Sequence, residues 1–146
     1  MKKIRLGTKK RGVKYDFRET CFGIVYQNEK FYLTEKNGEI SLKGGGIETG
    51  ENHIECLKRE FIEESGLTIT NYNEFITIDC FWITRNNKNM ESLANFYITE
   101  VSDKIEKPTE ELSKLITINS NDIISKLDLP YQKEAIKLYL EQKMKK

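Results

Sequence analysis

The sequence predicts an α/β fold, with a mixed β-sheet packed between helices. Strand-like stretches rich in β-branched and aromatic residues stand on both sides of one central segment. That segment, roughly His53 to Ser65, repeats apolar residues at helical spacing. Two further helical stretches close the chain. With 146 residues the chain can bury a real core, and one domain over residues 1–146 is expected.

Taken in order, residues 1–19 hold Lys2, Lys3, Arg5, Lys9, Lys10, Arg11, Lys14 and Arg18 against only Asp16 and Glu19. This basic N-terminal arm reads as solvated and partly extended, or else as a lip that attracts a polyphosphate or RNA. Thr20 to Tyr26 and Lys30 to Glu35 are strand candidates joined by a hairpin at Gln27-Asn28-Glu29. Asn37-Gly38 marks a second tight turn, and Glu39 to Leu42 leads into a loop of three glycines, Gly44 to Gly46. After the central helix come two long strands, Glu74 to Thr84 and Ser92 to Val101, around the polar turn Arg85 to Glu91. Lys107 to Glu111 reads as a loop and Lys114 to Ile118 as a short strand. Ser120-Asn121-Asp122 can cap a short helix reaching about Leu127. Pro130 opens the last helix, to about Lys143, with Tyr131, Ala135, Leu138 and Tyr139 toward the core.

A formal net charge of +1 gives no global argument for nucleic acid or membrane as partner. No apolar run approaches the roughly 18 residues of a transmembrane helix. The basic N-terminus has no apolar stretch behind it, so no signal peptide is expected. Cys21, Cys56 and Cys80 fit neither a CxxC metal pair nor a disulfide framework, and reduced thiols in a cytoplasm are the plain reading.

The chemistry concentrates between Gly45 and Leu67, in GGIETGENHIECLKREFIEESGL. On a helix, Ile54, Leu57 and Phe61 form one apolar stripe, and Glu60, Glu63 and Glu64 fall together on the neighbouring sector. Three like charges at this spacing destabilise a helix, and a dication removes the conflict. Hard oxygen ligands suit Mg²⁺ or Mn²⁺ far better than zinc. The glycines let the backbone approach a ligand closely. Free carbonyls there can complete a metal shell, and the N–H groups of Gly45 and Gly46 can face phosphate oxygens. Glu51 and Arg59 read as a structural ion pair that clamps the loop to the helix. Gly66 reads as a left-handed helix stop with Leu67 packing behind it.

The same 23 residues resemble the Nudix box: Gly45, five residues, Glu51, seven residues, Arg59-Glu60-Phe61, one residue, Glu63-Glu64, one residue, Gly66-Leu67. No defining position departs from it. The flanks look like the small MutT-like bacterial members. The resemblance implies an α/β/α sandwich and hydrolysis of a nucleoside diphosphate linked to another group, with Mg²⁺ or Mn²⁺ as cofactor. It implies Glu60, Glu63 and Glu64 as metal-binding glutamates and the Gly44 carbonyl as a loop ligand. It also implies a further glutamate from a late loop, here Glu110 or Glu111. The general base would be Glu63 or Glu60, supported by Arg59 and Glu51.

Two positions depart from the family's common pattern: Lys43, where many members have proline, and Thr117, near where many have tryptophan. Neither is expected to touch the metal site. A substrate ring needs aromatic stacking, for which Tyr15, Phe17, Phe22, Phe81, Trp82 and Tyr97 are available. Phe81 and Trp82 are adjacent, so one of them can face a cleft. The expected partner is a small nucleotide-type molecule, with RNA 5′ ends a minor variant, no membrane, and a homodimer through the arm or a sheet edge as a guess. The competing reading is a Nudix-like module that senses a nucleotide or sugar-nucleotide without cleaving it. The complete set of glutamates favours the enzyme.

Overall fold

Among the described residues eight strands hydrogen-bond into one mixed sheet, and alternating burial along them gives it two apolar faces. The computed structural model describes residues 1–105, 107, 109–110 and 112–145. In chain order the elements are β1 (Lys3–Leu6), β2 (Asp16–Ile24), β3 (Tyr26–Gln27), β4 (Lys30–Lys36) and β5 (Glu39–Gly46), then α1 (His53–Ser65). They continue with β6 (Leu67–Ile83), β7 (Asn89–Ile105), β8 (Ser113–Ile118), α2 (Ile123–Lys126) and α3 (Pro130–Met144). The strand order is β1-β6-β7-β2-β5-β4-β3, with β8 on β4. β1–β6 and β2–β7 are parallel, and the other pairs are antiparallel.

Cys21 in β2 and Val25 just after it belong to one face, where Leu57 and Phe61 of α1 pack with Leu67 and Tyr97. Phe22 and Ile24 point to the other, where Phe31, Leu33 and Phe96 meet Tyr131, Ala135 and Ile136 of α3. The result is the α/β/α sandwich expected from the sequence. Among the described residues no helix is long and apolar enough to cross a membrane.

Three local expectations need correction. The N-terminal arm is not all solvated. Lys3–Leu6 pairs in parallel with β6, its Ile4 and Leu6 packing on the core while Lys3 and Arg5 face out, which is period-two alternation. The glycine triplet is not a loop, because Gly44, Gly45 and Gly46 lie in β5, opposite Phe22, Cys21 and Thr20. The long strands run further than expected, since Leu67 to Asn73 is polar and exposed in part yet still pairs with the end of β7 through register shifts. At Asn37-Gly38 both residues have positive φ, 51° and 81°, which suits a tight β4–β5 hairpin.

Candidate active site

The site rests on how α1 starts and stops. Asn52 caps its N-terminus: the side chain accepts from Glu55 N at 2.8 Å, and Asn52 N donates to Glu55 Oε1 at 3.0 Å. This reciprocal capping box satisfies two orphan donors, and its signal, Asn followed three residues later by Glu, stands in the sequence. At the other end Gly66 adopts φ 69° and its N–H bonds Ile62 O at 2.9 Å. The rotation of α1 is thereby fixed with Leu57 and Phe61 inward and Glu60, Glu63 and Glu64 along one edge, against β5.

A cleft of about 520 Å³ opens along that edge. Glu60, Glu63, Glu64 and Glu110 line it, with Gly44, Gly45, Glu48, Lys36, Arg18 and Arg59. Gly44 has φ 144°, and a Cβ there would lie 2.0 Å from Cys21 O, so β5 can approach β2 this closely only with glycine. A Cβ on Gly45 would lie 2.6 Å from Glu60 Oε1, so the bare backbone is what admits the Glu60 carboxylate.

Arg59 organises the entrance. Its Nε and Nη2 donate to Glu51 Oε2 and Oε1 at 2.6 and 3.0 Å. Nη2 also donates to Gly46 O at 3.1 Å, and Nη1 donates to Glu60 Oε1 and Glu63 Oε2, each at 3.1 Å. The Arg59 hydrogen bonds hold the Glu51 carboxyl below the ordinary carboxylate range, helped by the Glu48 N–H. Glu51 therefore serves the clamp and does not line the cleft. Burial pushes Glu60 up, and Arg59 opposes that shift.

Glu64 is the most enclosed of the three, 7% exposed. Its Oε1 accepts from Gly44 N at 3.2 Å and from Thr34 Oγ1 at 3.3 Å. Behind it lies Lys43, fully buried, whose Nζ donates to Thr34 Oγ1 at 3.0 Å. Burial raises Glu64 and lowers Lys43, and each charge opposes the other's shift. Lys43 does not touch Glu64 directly, and one hydroxyl, that of Thr34, stands between them. Thr117 pairs with Tyr32 in the β4–β8 ladder, away from the cleft.

Glu110 reaches the cleft from the loop before β8. Its N–H donates to Glu63 O at 2.9 Å, and its carboxylate bonds Lys36 Nζ and, at 2.9 Å, Ser113 Oγ. Lys36 holds the Glu110 carboxyl below its ordinary range. The alternative, Glu111, lies outside the described residues.

Of the candidate rings Phe22 lines this cleft, whereas Phe81 and Trp82 do not. Phe81 packs edge-on against Tyr15, under the Arg5 guanidinium. Trp82 points to the α3 side, donates to Ser92 Oγ at 2.9 Å and lines neighbouring grooves. Adjacent strand residues face opposite ways, and here both rings belong to the far end of β6. The expected Phe22 and the unexpected Tyr131 form the aromatic wall. Gly46 is also outside the lining: a Cβ there would sit 3.0 Å from Arg18 Nη2, and its carbonyl serves Arg59. Sequence reading missed Lys36 and Tyr131 as cleft residues, since only strand pairing and the last helix bring them here, and missed Glu48 in the segment between β5 and α1; Arg18 belongs to the basic arm read as a possible polyphosphate lip.

Among the described residues no three His, Cys, Asp or Glu side chains form a ready-made metal cage. The carboxylates share a cleft, with Arg59 bonded between two of them.

Comparison with known proteins agrees with this fold. Solved structures with the same fold include the MutT protein of Bacillus halodurans, at TM-score 0.67 and 20% identity over 82% of this chain and 80% of that one. A NUDIX hydrolase from Nitrosomonas europaea gives TM-score 0.67 at 18% identity, covering 87% of this chain and 90% of that one. The MutT NUDIX hydrolase of Burkholderia pseudomallei gives 0.64 at 17%, covering 84% and 97%. No curated protein sequence matches the chain. The family model of the NUDIX domain matches residues 17–139, and the chain belongs to that family.

Proposed function

We propose that this protein is a pyrophosphohydrolase that uses Mg²⁺ or Mn²⁺ to cleave a nucleoside diphosphate linked to another group. The observation that carries the reading is the convergence of Glu60, Glu63, Glu64 and Glu110 on one cleft beside Gly44 and Gly45.

The residues fit a hard cation. Every candidate donor is an oxygen. Gly45 leaves out the Cβ that would displace the Glu60 carboxylate. Burial works against the charge on Glu60 and Glu64, a cost that a dication offsets. Glu60, Glu63, Glu64 and the Gly44 carbonyl would hold the metal, with Glu110 at the rim. When bound, the ion neutralises charge on the pyrophosphate oxygens and polarises the bond to be cleaved.

The chain's own groups supply the rest. Arg18 and Lys36 are cations on the cleft wall, suited to phosphate oxygens. Phe22 and Tyr131, both largely buried, back the cleft as an apolar wall for a base or another planar group. Glu60 and Glu63 are the two carboxylates suited to take the proton of an attacking water. Glu63 has a side chain 37% exposed, so solvent reaches it, whereas Glu60 is made more basic by its burial.

The test is a panel of nucleoside triphosphates, nucleotide sugars, ADP-ribose and dinucleoside polyphosphates, incubated with and without Mg²⁺, with products separated by chromatography. Metal-dependent cleavage of one class is the expected result. Binding of a panel member with no cleavage of any would instead favour a nucleotide-sensing module.

A further inference from the structure

Lys43 has no exposed surface, although it lies in β5 next to the glycines of the cleft. A lysine this deep is rare unless something holds its charge, and an aliphatic side chain would fill the space without losing ammonium hydration. Its hydrogen bonds have only one possible direction. An ammonium donates and cannot accept, so Thr34 Oγ1 accepts from Lys43 at 3.0 Å. The one hydroxyl hydrogen of Thr34 is then free for Glu64 Oε1, at 3.3 Å. Gly44 N–H adds a second donor to the same oxygen at 3.2 Å. Both tethers fall on Oε1, which leaves Oε2 as the oxygen to face the cleft. Thr34 is 1% exposed although it borders the cleft, so its hydroxyl is largely shielded from solvent.

We infer that Lys43 is a positioning residue that acts through the Thr34 hydroxyl to hold the Glu64 carboxylate in one orientation for a divalent cation. The inference rests on reading Glu64 as a metal ligand. A strand residue without an ammonium at position 43 would leave the Thr34 hydroxyl free to turn, so that its bond to Glu64 would no longer be fixed in direction.

The test measures Mn²⁺ affinity directly, by the electron paramagnetic resonance signal of free Mn²⁺, so that turnover plays no part. Lys43→Met, Thr34→Val and the double variant are compared with the unaltered protein, and circular dichroism melting reports the fold of each. Thr34→Val keeps the volume and the strand preference of threonine, so it remains informative if Lys43→Met does not fold. Each single variant is expected to weaken Mn²⁺ binding about tenfold, the low end for partners that orient a metal ligand. The double variant is expected to be no weaker than the weaker single, because both cut one chain of hydrogen bonds. Unaltered Mn²⁺ affinity in either folded single variant would overturn the inference, as would losses that multiply in the double. If the unaltered protein binds no Mn²⁺, the metal reading of the cleft falls first and this inference falls with it.

Discussion

Arg59 grips Glu51 with the Nε and Nη2 edge of its guanidinium, at 2.6 and 3.0 Å, across the junction between β5 and α1. The fork is planar, and the same group also reaches Gly46 O, Glu60 and Glu63. A lysine can supply the charge but not this set of directions. Arg59→Lys is therefore expected to lower stability by about 1–2 kcal/mol, the scale of a lost charge-assisted hydrogen bond. Urea unfolding followed by circular dichroism measures it. An unchanged midpoint would show that the clamp contributes nothing to the fold.

The same contact sets an acid limit. Arg59 holds the folded Glu51 carboxyl below its ordinary range. A carboxyl lowered on folding stabilises the protein above its unfolded pKa, near 4, and that contribution disappears as pH falls through the folded value. Glu51→Gln is expected to lower stability at pH 7 and to flatten the loss of stability below about pH 4. Parallel acid limbs for the two proteins would contradict this.

The Glu51 to Gly66 region was the most legible part of the chain, for a physical reason. Helix periodicity, a left-handed glycine stop and charges on one sector are local, and α1 spans His53–Ser65 as the sequence predicts. What failed was long-range. The glycines of β5 read as a loop because glycine is poor in strands, yet Gly44 is required by backbone contact with Cys21 on another strand. Lys43 read only as a departure from proline before the glycines, and its partner Thr34, nine residues earlier on β4, is visible only once β4 and β5 pair. Phe81 and Trp82 read as stacking rings because a sequence does not say which end of a strand meets the cleft. Tyr131 fills that wall from α3, more than a hundred residues after Phe22.

Glu63 and Glu64 should be separable from the fold. Glutamine keeps the shape of either side chain and removes the negative charge that a cation and a proton transfer need. Glu63→Gln and Glu64→Gln are each expected to lower turnover by roughly two or more orders of magnitude while the far-ultraviolet circular dichroism stays unchanged. Near-normal rates in both variants, measured on whichever substrate the panel identifies, would remove the metal-hydrolase reading.

Gly44 and Gly45 are adjacent but fail differently. At Gly44 an alanine methyl would meet the Cys21 carbonyl at 2.0 Å, in a backbone conformation that side chains avoid. Gly44→Ala is expected to cost about 3 kcal/mol or more. At Gly45 the methyl would meet Glu60 Oε1 at 2.6 Å, the end of a side chain that can turn aside. Gly45→Ala is expected to fold with a loss below about 1.5 kcal/mol but to bind Mn²⁺ more weakly. Thermal melting and Mn²⁺ titration together distinguish the two, and equal destabilisation would contradict the distinction.

Glu60 gives a prediction of opposite sign to Glu51. Burial is the main cause of its raised pKa, and Arg59 does not fully cancel it. A carboxyl raised on folding favours the folded state at low pH, and that advantage is lost as pH rises from the unfolded toward the folded value. Above that window the metal-free protein carries a charge in a place that disfavours it. Glu60→Gln removes the charge and keeps a group able to accept from Arg59. It is expected to raise the metal-free Tm at pH 7.5 by about 2–3 °C, the scale of a part-kilocalorie change in a chain of this size. Addition of Mg²⁺ should reverse the ranking, because the ion stabilises a carboxylate it can bind and gains little from an amide. A lower metal-free Tm for Glu60→Gln would show that the Arg59 contact, and not burial, dominates at this position. An equal Mg²⁺ response in the two proteins would separate Glu60 from the cation.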